Sequence, residues 1–264
     1  MSEWQGKTVL VTGASYGIGE VFARRLAADG AHLIVTARSA ERLTALAAEL
    51  REKHGVNVTV IEADLAQPEA PQLIFAKTQQ HQLTVDLLIN NAGFGAVGDF
   101  ARQPLNRQLE MIQVNVTALV ALAHLFVQPM LERRAGAILN VSSTAAFQGV
   151  PYFAVYSATK AFILNFSEAL WAECREHGVR VLALCPGSTE SNFHATAGTS
   201  QRAHAQPRQT AEEVVALGLR ALTQQRSHVV SGWNNWLMVQ SERLVPRSFA
   251  VRAAQQLFKQ FARQ

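Results

Sequence analysis

An α/β chain is predicted: a doubly wound parallel sheet of about seven strands with helices on both faces. Three observations predict it. Short runs that are apolar throughout, as strands buried on both faces are, alternate with longer segments of helical periodicity. Glycines stand just past four of the longer segments, Gly30, Gly55, Gly136 and Gly178, where a left-handed residue ends a helix. The polar and glycine-rich segments follow the apolar runs, at the strand ends where such sheets bind ligands.

In order, residues 7–12 form a short apolar strand and a glycine turn follows it. A helix over 18–29 closes at Gly30, and 31–37 is a second buried strand. Residues 41–53 are helical up to Gly55, and 56–62 is the third strand. A helix over 69–80 precedes a fourth strand at 85–90. One long helix is expected over 105–134, ended by Gly136, then a strand at 137–141. Residues 152–177 form a helix closed by Gly178 and lead into a strand at 179–184. A helix over 211–225 and a short strand at 228–230 complete the sheet.

The chain has 264 residues, enough for one large domain, and no linker or low-complexity tract divides it. The formal charge of +4 is a mild excess with no dominant basic cluster, so nucleic acid is not an expected partner. Two cysteines, Cys174 and Cys185, make no disulfide framework and have no metal-ligand spacing. Both are expected to be reduced and buried. The N-terminus lacks a signal-peptide core, and no window carries the ~18 apolar residues of a spanning helix. The expected residence is cytoplasmic, with no membrane span and no metal site.

The first turn reads Thr12-Gly13-Ala14-Ser15-Tyr16-Gly17-Ile18-Gly19. Backbone without a Cβ at Gly13, Gly17 and Gly19 lets a pyrophosphate approach, and the N-terminus of the next helix holds the anion, with Ser15 and Ile18 among the expected contacts. The spacing is not that of G-x-G-x-x-G. At the end of the second strand, Thr36-Ala37-Arg38-Ser39 offers no carboxylate for a ribose 2′-hydroxyl. Arg38 instead presents a charged fork suited to a 2′-phosphate, Ser39 adds a hydroxyl, and Arg42 lies one helical turn on. The cofactor expected is therefore NADP(H). Asp64 and Leu65 follow the third strand, where they can bracket an adenine; a helix-cap role for Asp64 before Pro68 is the rival reading.

Tyr156 and Lys160 are four apart on an expected helix and share one face. A free tyrosine titrates near ~10, and an adjacent ammonium favours its phenolate and lowers that value. Lys160 can also hold the nicotinamide ribose. Ser143, from the loop after the fifth strand, can bond the substrate oxygen, and is preferred here over Ser142. In reduction Tyr156 protonates that oxygen while Ser143 stabilises the developing charge; in oxidation the phenolate takes the alcohol proton.

These motifs together resemble the classical short-chain dehydrogenase/reductase family: T-G-x-x-x-G-x-G, Asn90-Asn91-Ala92-Gly93, an asparagine in a long helix, Ser143, Y-x-x-x-K and Pro186-Gly187. The resemblance reaches to about Gly232 and implies a Rossmann-type fold. It implies that Ser143, Tyr156 and Lys160 are catalytic and that Asn115 holds a water linking the lysine to solvent. It puts Asn91, Ala92 and Gly93 beside the adenosine ribose, and Pro186, Gly187 and Thr189 at the carboxamide. Ser191 stands where the family often has threonine. Tyr16 stands where some NADP-dependent members carry a basic residue, which leaves phosphate selectivity to Arg38. The resemblance also implies a homodimer or homotetramer, packed through the helices that contain Asn115 and Tyr156.

Residues 189–210 have the composition of a substrate lid, with His194 and His204 in it but no third metal ligand. Phe94, Phe147, Tyr152, Phe153 and Phe193 are candidates to line an apolar pocket, so a hydrophobic carbonyl or alcohol is the expected substrate. A 3-oxoacyl or hydroxysteroid-type reductase is the narrower reading, and a non-catalytic NADP(H) sensor or scaffold the alternative class. The tail at 233–264 mixes Trp233, Trp236, Leu237, Leu244 and Phe249 with Arg243, Arg247, Arg252 and Lys259. It is expected to pack on the domain or a sister subunit; a membrane surface is the other reading.

Overall fold

The computed structural model describes residues 2–189 and 209–259. Seven parallel strands form one sheet in the order β3-β2-β1-β4-β5-β6-β7. They are β1 (Thr8–Thr12), β2 (His32–Ala37), β3 (Val58–Glu62), β4 (Leu87–Asn90), β5 (Gly136–Val141), β6 (Val179–Cys185) and β7 (His228–Val230). The central strands are buried along nearly their whole length, because helices cover both faces. On one face lie α1 (Gly17–Ala28), α2 (Ala40–His54) and α7 (Ala211–Thr223), packed through Phe22, Leu26, Leu43, Leu50 and Leu222. On the other lie α3 (Ala70–Gln80), α5 (Ala118–Glu132) and α6 (Ala154–Cys174), which contribute Ile74, Leu122, Phe126, Met130 and Cys174. The strand order reverses between β1 and β4, so the helices that follow these two strands lie on opposite faces of the sheet and a crevice opens at that point.

The expected long helix is broken. It comprises α4 (Leu105–Ile112), a π-helical turn (Gln113–Thr117) and α5. The stretch Leu105–Glu132 is also long and apolar enough to cross a bilayer by length and composition, contrary to the sequence expectation. Here it is a core element, with Leu122, Ala123, Phe126 and Met130 buried against the sheet and α3. The expected start of the next helix is trimmed for a steric reason. Tyr152 has a φ of 63°, a left-handed conformation a helix cannot contain, so α6 begins at Ala154.

A buried polar line ties the middle of the sheet to α6. Asn90 Nδ2 donates to Asn140 Oδ1 (2.9 Å), and Asn140 Nδ2 donates to Ser167 Oγ (2.9 Å). The tail forms two helices, α8 (Trp233–Glu242) and α9 (Arg247–Phe258), separated at Pro246. They pack on the domain through Val239 and through Val251, whose Cγ2 lies 3.4 Å from where a Cβ on Gly149 would stand.

Gly178 joins α6 to β6 with a φ of 74°, and a Cβ there would stand 2.3 Å from the Arg134 carbonyl oxygen. Gly178→Ala therefore meets both left-handed strain and rigid backbone, and is expected to lower stability by about 1–3 kcal/mol. A urea midpoint equal to that of the parent protein would contradict this packing.

Candidate active site

One cleft of about 950 Å³ runs along the carboxyl ends of the strands. At one end the turn after β1 and the start of α1 supply Gly13, Ser15, Gly17 and Ile18, the loop after β2 supplies Arg38 and Ser39, and the loop after β3 supplies Asp64 and Leu65. Asn91, Ala92 and Gly93 line its middle. Ser143, Tyr156, Lys160, Pro186, Gly187 and Thr189 line the other end. Among the sequence candidates, Gly19, Arg42, Asn115, Phe147 and Tyr152 do not line it; Gly19 and Asn115 instead brace the walls.

The bracing is tight. A Cβ on Gly19 would stand 2.3 Å from the Gly13 carbonyl oxygen and 2.4 Å from Asn91 Nδ2. Gly13, at φ 65°, leaves a Cβ only 2.9 Å from the same amide. Asn91 Nδ2 donates to the carbonyls of Thr12 (2.9 Å) and Gly13 (3.2 Å). Thr12 Oγ1 accepts from the amides of Asn91 and Ala92, both at 3.0 Å, and donates to the Ile89 carbonyl (3.3 Å). The turns after β1 and β4 are thereby joined directly.

The end lined by the turn after β1 offers groups that can hold an anionic ligand. Tyr16, the residue that caps α1, makes no side-chain capping bond, so the amides of the helix's first turn are open to an anion. Thr36 Oγ1 is buried at the cleft wall with no partner among the described residues, a polar atom available to a ligand. Arg42 stacks over the Tyr16 ring, 3.8 Å from its centroid. The aromatic at the position without a basic residue thus draws a cation to the mouth of the same end. Asp64 is not a helix cap: α3 begins at Ala70 behind Glu69, and Asp64 Oδ1 accepts instead from the Ala66 amide (3.1 Å).

At the chemical end, α6 carries Tyr156 and Lys160 on one buried face. The Ser143 hydroxyl is hydrogen-bonded to the Tyr156 phenol. Ser143 also caps a short helical turn at Thr144–Ala146, accepting from the Ala145 amide (3.1 Å). Ser142 points into the protein, where its Oγ donates to the Lys160 carbonyl (2.8 Å) and anchors α6 to β5. Lys160 Nζ donates to the Val141 carbonyl (2.9 Å) and lies 5.6 Å from the Tyr156 ring centroid. Phe153 packs on that ring with centroids 4.4 Å apart.

The expected lowering of the tyrosine's pKa is not what this environment produces. Burial pushes the Tyr156 phenol up to about 12, and the Ser143 hydrogen bond opposes that rise only in part. Burial likewise pushes Lys160 down to about 8. A buried site penalises both charged forms, and the ammonium already bonded to Val141 is not directed at the phenol. The phenol therefore stays protonated across the neutral range, while the lysine's charge titrates near its upper edge.

Asn115 is fully buried in the π turn. Its Oδ1 accepts from the Phe94 amide (3.1 Å), and its Nδ2 donates to the Phe94 carbonyl (3.0 Å) and to Thr159 Oγ1 (3.1 Å). A Cβ on Gly93 would lie 3.0 Å from Asn115 Oδ1 and 3.5 Å from Lys160 Nζ, so the three groups meet in a tightly packed spot. Ser191, Phe193, His194 and His204 lie outside the described residues. Sequence reasoning missed Glu110, which lines the cleft and pairs with Arg107 (3.1 Å), whose guanidinium lies over Phe94 at 3.9 Å. The i, i+4 spacing of Glu110 with cleft-lining Val114 was the available signal.

The short chain dehydrogenase signature matches residues 7–202. The chain belongs to the short-chain dehydrogenase family. It is 35% identical to a 3-oxoacyl-(acyl-carrier-protein) reductase of Aquifex aeolicus over 191 residues, 72% of this chain and 77% of that protein. A short-chain dehydrogenase from Sphingobium yanoikuyae, solved in complex with NADPH, is 32% identical with a TM-score of 0.80 over 90% of this chain and 94% of its own. A 7beta-hydroxysteroid dehydrogenase structure, 29% identical, superposes with a TM-score of 0.86 over 96% of this chain and 98% of its own. The protein is thus an oxidoreductase of the carbonyl/alcohol class with a Rossmann-type nucleotide fold and a NAD(P)(H) cofactor.

Thr12→Val keeps the shape but removes the acceptor for the Ala92 amide. It is expected to cost about 1–3 kcal/mol of stability and to weaken dinucleotide binding, with Thr12→Ser restoring both. Equal melting temperatures and cofactor affinities for the valine variant and the parent would contradict the joint between the two turns.

Proposed function

We propose that this short-chain dehydrogenase is NADP(H)-dependent and acts on a hydrophobic carbonyl/alcohol pair, with Tyr156 as acid/base. The observation that carries the reading is the meeting of a buried phenol, a serine hydroxyl and a lysine in one cleft. When bound, NADP(H) exchanges a hydride with the substrate carbon. In reduction, Tyr156 gives its proton to the substrate oxygen and Ser143 donates a hydrogen bond as charge develops there. Lys160 positions the ribose and, while protonated, supplies a positive charge near the phenol. Asn115, through the backbone of Phe94 and the close pack at Gly93, holds the lysine's surroundings and is our candidate for the water relay.

Gly13, Ser15, Gly17 and Ile18 would hold the pyrophosphate, with Gly19 keeping their turn in shape. Arg38 and Ser39 would hold the 2′-phosphate, with Arg42 braced on Tyr16 adding charge. Asp64 and Leu65 would flank the adenine, and Asn91, Ala92 and Gly93 the ribose. Pro186, Gly187 and Thr189 would meet the carboxamide. The segment 189–210 is proposed as the substrate lid. In support, its ends are joined: Thr189 and Gln209 form a parallel bridge, and the Gln209 amide donates to the Ser188 carbonyl (3.3 Å). Phe94, Phe153 and Val114 give the chemical end an apolar wall, which favours a hydrophobic substrate. The relatives described as oxoacyl and hydroxysteroid enzymes support the two narrower substrate classes.

We propose a homodimer or homotetramer built on α4 and α6. Leu105, Leu109 and Ile112 recur at helical spacing on α4 and are exposed, as is Phe162 on α6, so an apolar face stands ready for a copy of itself. Cytoplasmic residence accords with Cys174 and Cys185, both free and buried.

Tyr156→Phe is expected to lower turnover by about two to four orders of magnitude and to leave NADPH affinity within a fewfold. Full retained activity on a carbonyl panel read by NADPH oxidation would refute the assignment. Arg38→Ala should weaken NADPH binding by about tenfold or more while barely changing NADH binding. Equal affinities of the parent protein for the two cofactors would overturn the preference. The signs of the two pKa shifts set the pH profile. Lys160 is charged below about 8 and loses its proton above, so reductive kcat/KM should hold through neutral pH and decline as pH rises through that value. Oxidation needs the phenolate and should rise with pH; a reductive profile flat across the alkaline range would contradict this account.

A further inference from the structure

We propose that α8 and α9 form a docking surface for an anionic lipid bilayer. The charge distribution isolates this segment. Residues 1–232 carry 19 basic and 19 acidic side chains, whereas 233–264 carry five basic residues and one acid. The chain's entire formal charge of +4 therefore resides in its tail.

The fold then sorts that tail into two faces. On α8, Asn235, Val239 and Glu242 follow an i, i+4, i+7 stripe that turns to the domain. Val239 is buried, and both carboxylate oxygens of Glu242 are buried with no hydrogen-bond partner among the described residues. The tail's single acid is thus withdrawn from the outside. The opposite stripe carries Trp233 (69% exposed), Trp236, Leu237 and, past the helix end, Leu244 (86% exposed). On α9, Ala250 and Ala254 face inward while Phe249 is 62% exposed. Arg243, Arg247, Arg252 and Lys259 are exposed along the same segment. The outer face therefore presents aromatic and aliphatic side chains among neutral polar ones, and its only charged side chains among the described tail residues are cations.

An anionic bilayer satisfies both halves of that face. Tryptophan, leucine and phenylalanine enter the boundary between headgroups and acyl chains, and long basic side chains reach the phosphates. The stacked Trp233 and Trp236 rings, 5.1 Å apart, form a pre-assembled wedge for that boundary. A second copy of this chain is the weaker occupant. A two-fold pairing would set one basic face against an identical one, and the apolar face of α4 and α6 already offers an uncharged alternative. Aliphatic Leu237 and Leu244 also have nothing to stack on a nucleobase. The docking site adjoins the cleft: a Cβ on Gly187 would stand 2.2 Å from Asn235 Nδ2 of α8. Docking would thus hold the cleft mouth near lipid, a consequence that rests on the hydrophobic-substrate reading, whereas docking itself does not.

The test is co-sedimentation of the full chain with vesicles of phosphatidylcholine alone or with about one third phosphatidylserine. We expect binding at least about tenfold tighter to the anionic vesicles, weakened by salt, with a blue shift of tryptophan emission. The triple variants Trp233→Ala/Trp236→Ala/Leu244→Ala and Arg243→Gln/Arg247→Gln/Arg252→Gln should each lose most of this binding. Both should keep parental turnover of a water-soluble carbonyl, a check independent of membranes. No sedimentation with anionic vesicles at low salt would overturn the proposal. So would unchanged binding by both variants, a variant that shifts the oligomeric state by light scattering, or retention of single-stranded DNA in preference to vesicles.

Discussion

The joint between the turns after β1 and β4 is the constraint on which the rest of the structure depends. Parallel strands cannot share hydrogen bonds beyond their ends, so at the switch point the two loops would separate. Thr12 Oγ1 and Asn91 Nδ2 hold them together, and the packing is close enough that Gly13 and Gly19 tolerate no Cβ. One contact set therefore does two things. It keeps the first turn of α1 open towards the cleft, and it fixes the path of Asn91, Ala92 and Gly93. Gly93 in turn leaves room for Asn115 and Lys160 to approach one another. The cofactor end and the chemical end are positioned by the same few residues.

The chemical end follows a second constraint, burial. Tyr156 and Lys160 sit on the inner face of a helix held to the sheet by Ser142 and by the Asn140–Ser167 bond. Rigidity of this kind suits proton transfer, which requires a defined donor position. It also sets the electrostatics, because low polarity favours the neutral form of each group. A neutral phenol is ready to donate, whereas a phenolate needs help from a bound cation. Burial thus holds the phenol in the form that can donate a proton.

The molecular surface shows a similar division of labour. The apolar face of α4 and α6 is uncharged and suits self-association, while the tail is apolar and basic at once. The two faces differ in charge, which is the property that separates a protein partner from an anionic surface. Glu242 marks the distinction, since turning the tail's one acid inward leaves cations as the only charges on the outer face of its described residues.

Much of this was legible in the linear chain. The apolar runs at 31–37 and 179–184 could only be buried strands, Gly55 and Gly178 ended helices, and Tyr156 and Lys160 had to share a helical face. These follow from local periodicity and steric rules that act within a few residues. What escaped notice depends on distant segments meeting. The π turn arises where Asn115 bonds Phe94 and Thr159, so the 105–134 segment reads as one helix until its neighbours are known. Arg42 over Tyr16, and Glu110 in the cleft wall, likewise join parts of the chain that spacing alone does not connect. The direction of the Tyr156 shift is not legible in the chain, because charge spacing is visible in a sequence and desolvation is not. Residue order was sufficient to specify the elements, their sequence and the types of reacting groups. Only the packed protein could say which groups are buried, because burial is a property of everything around a side chain.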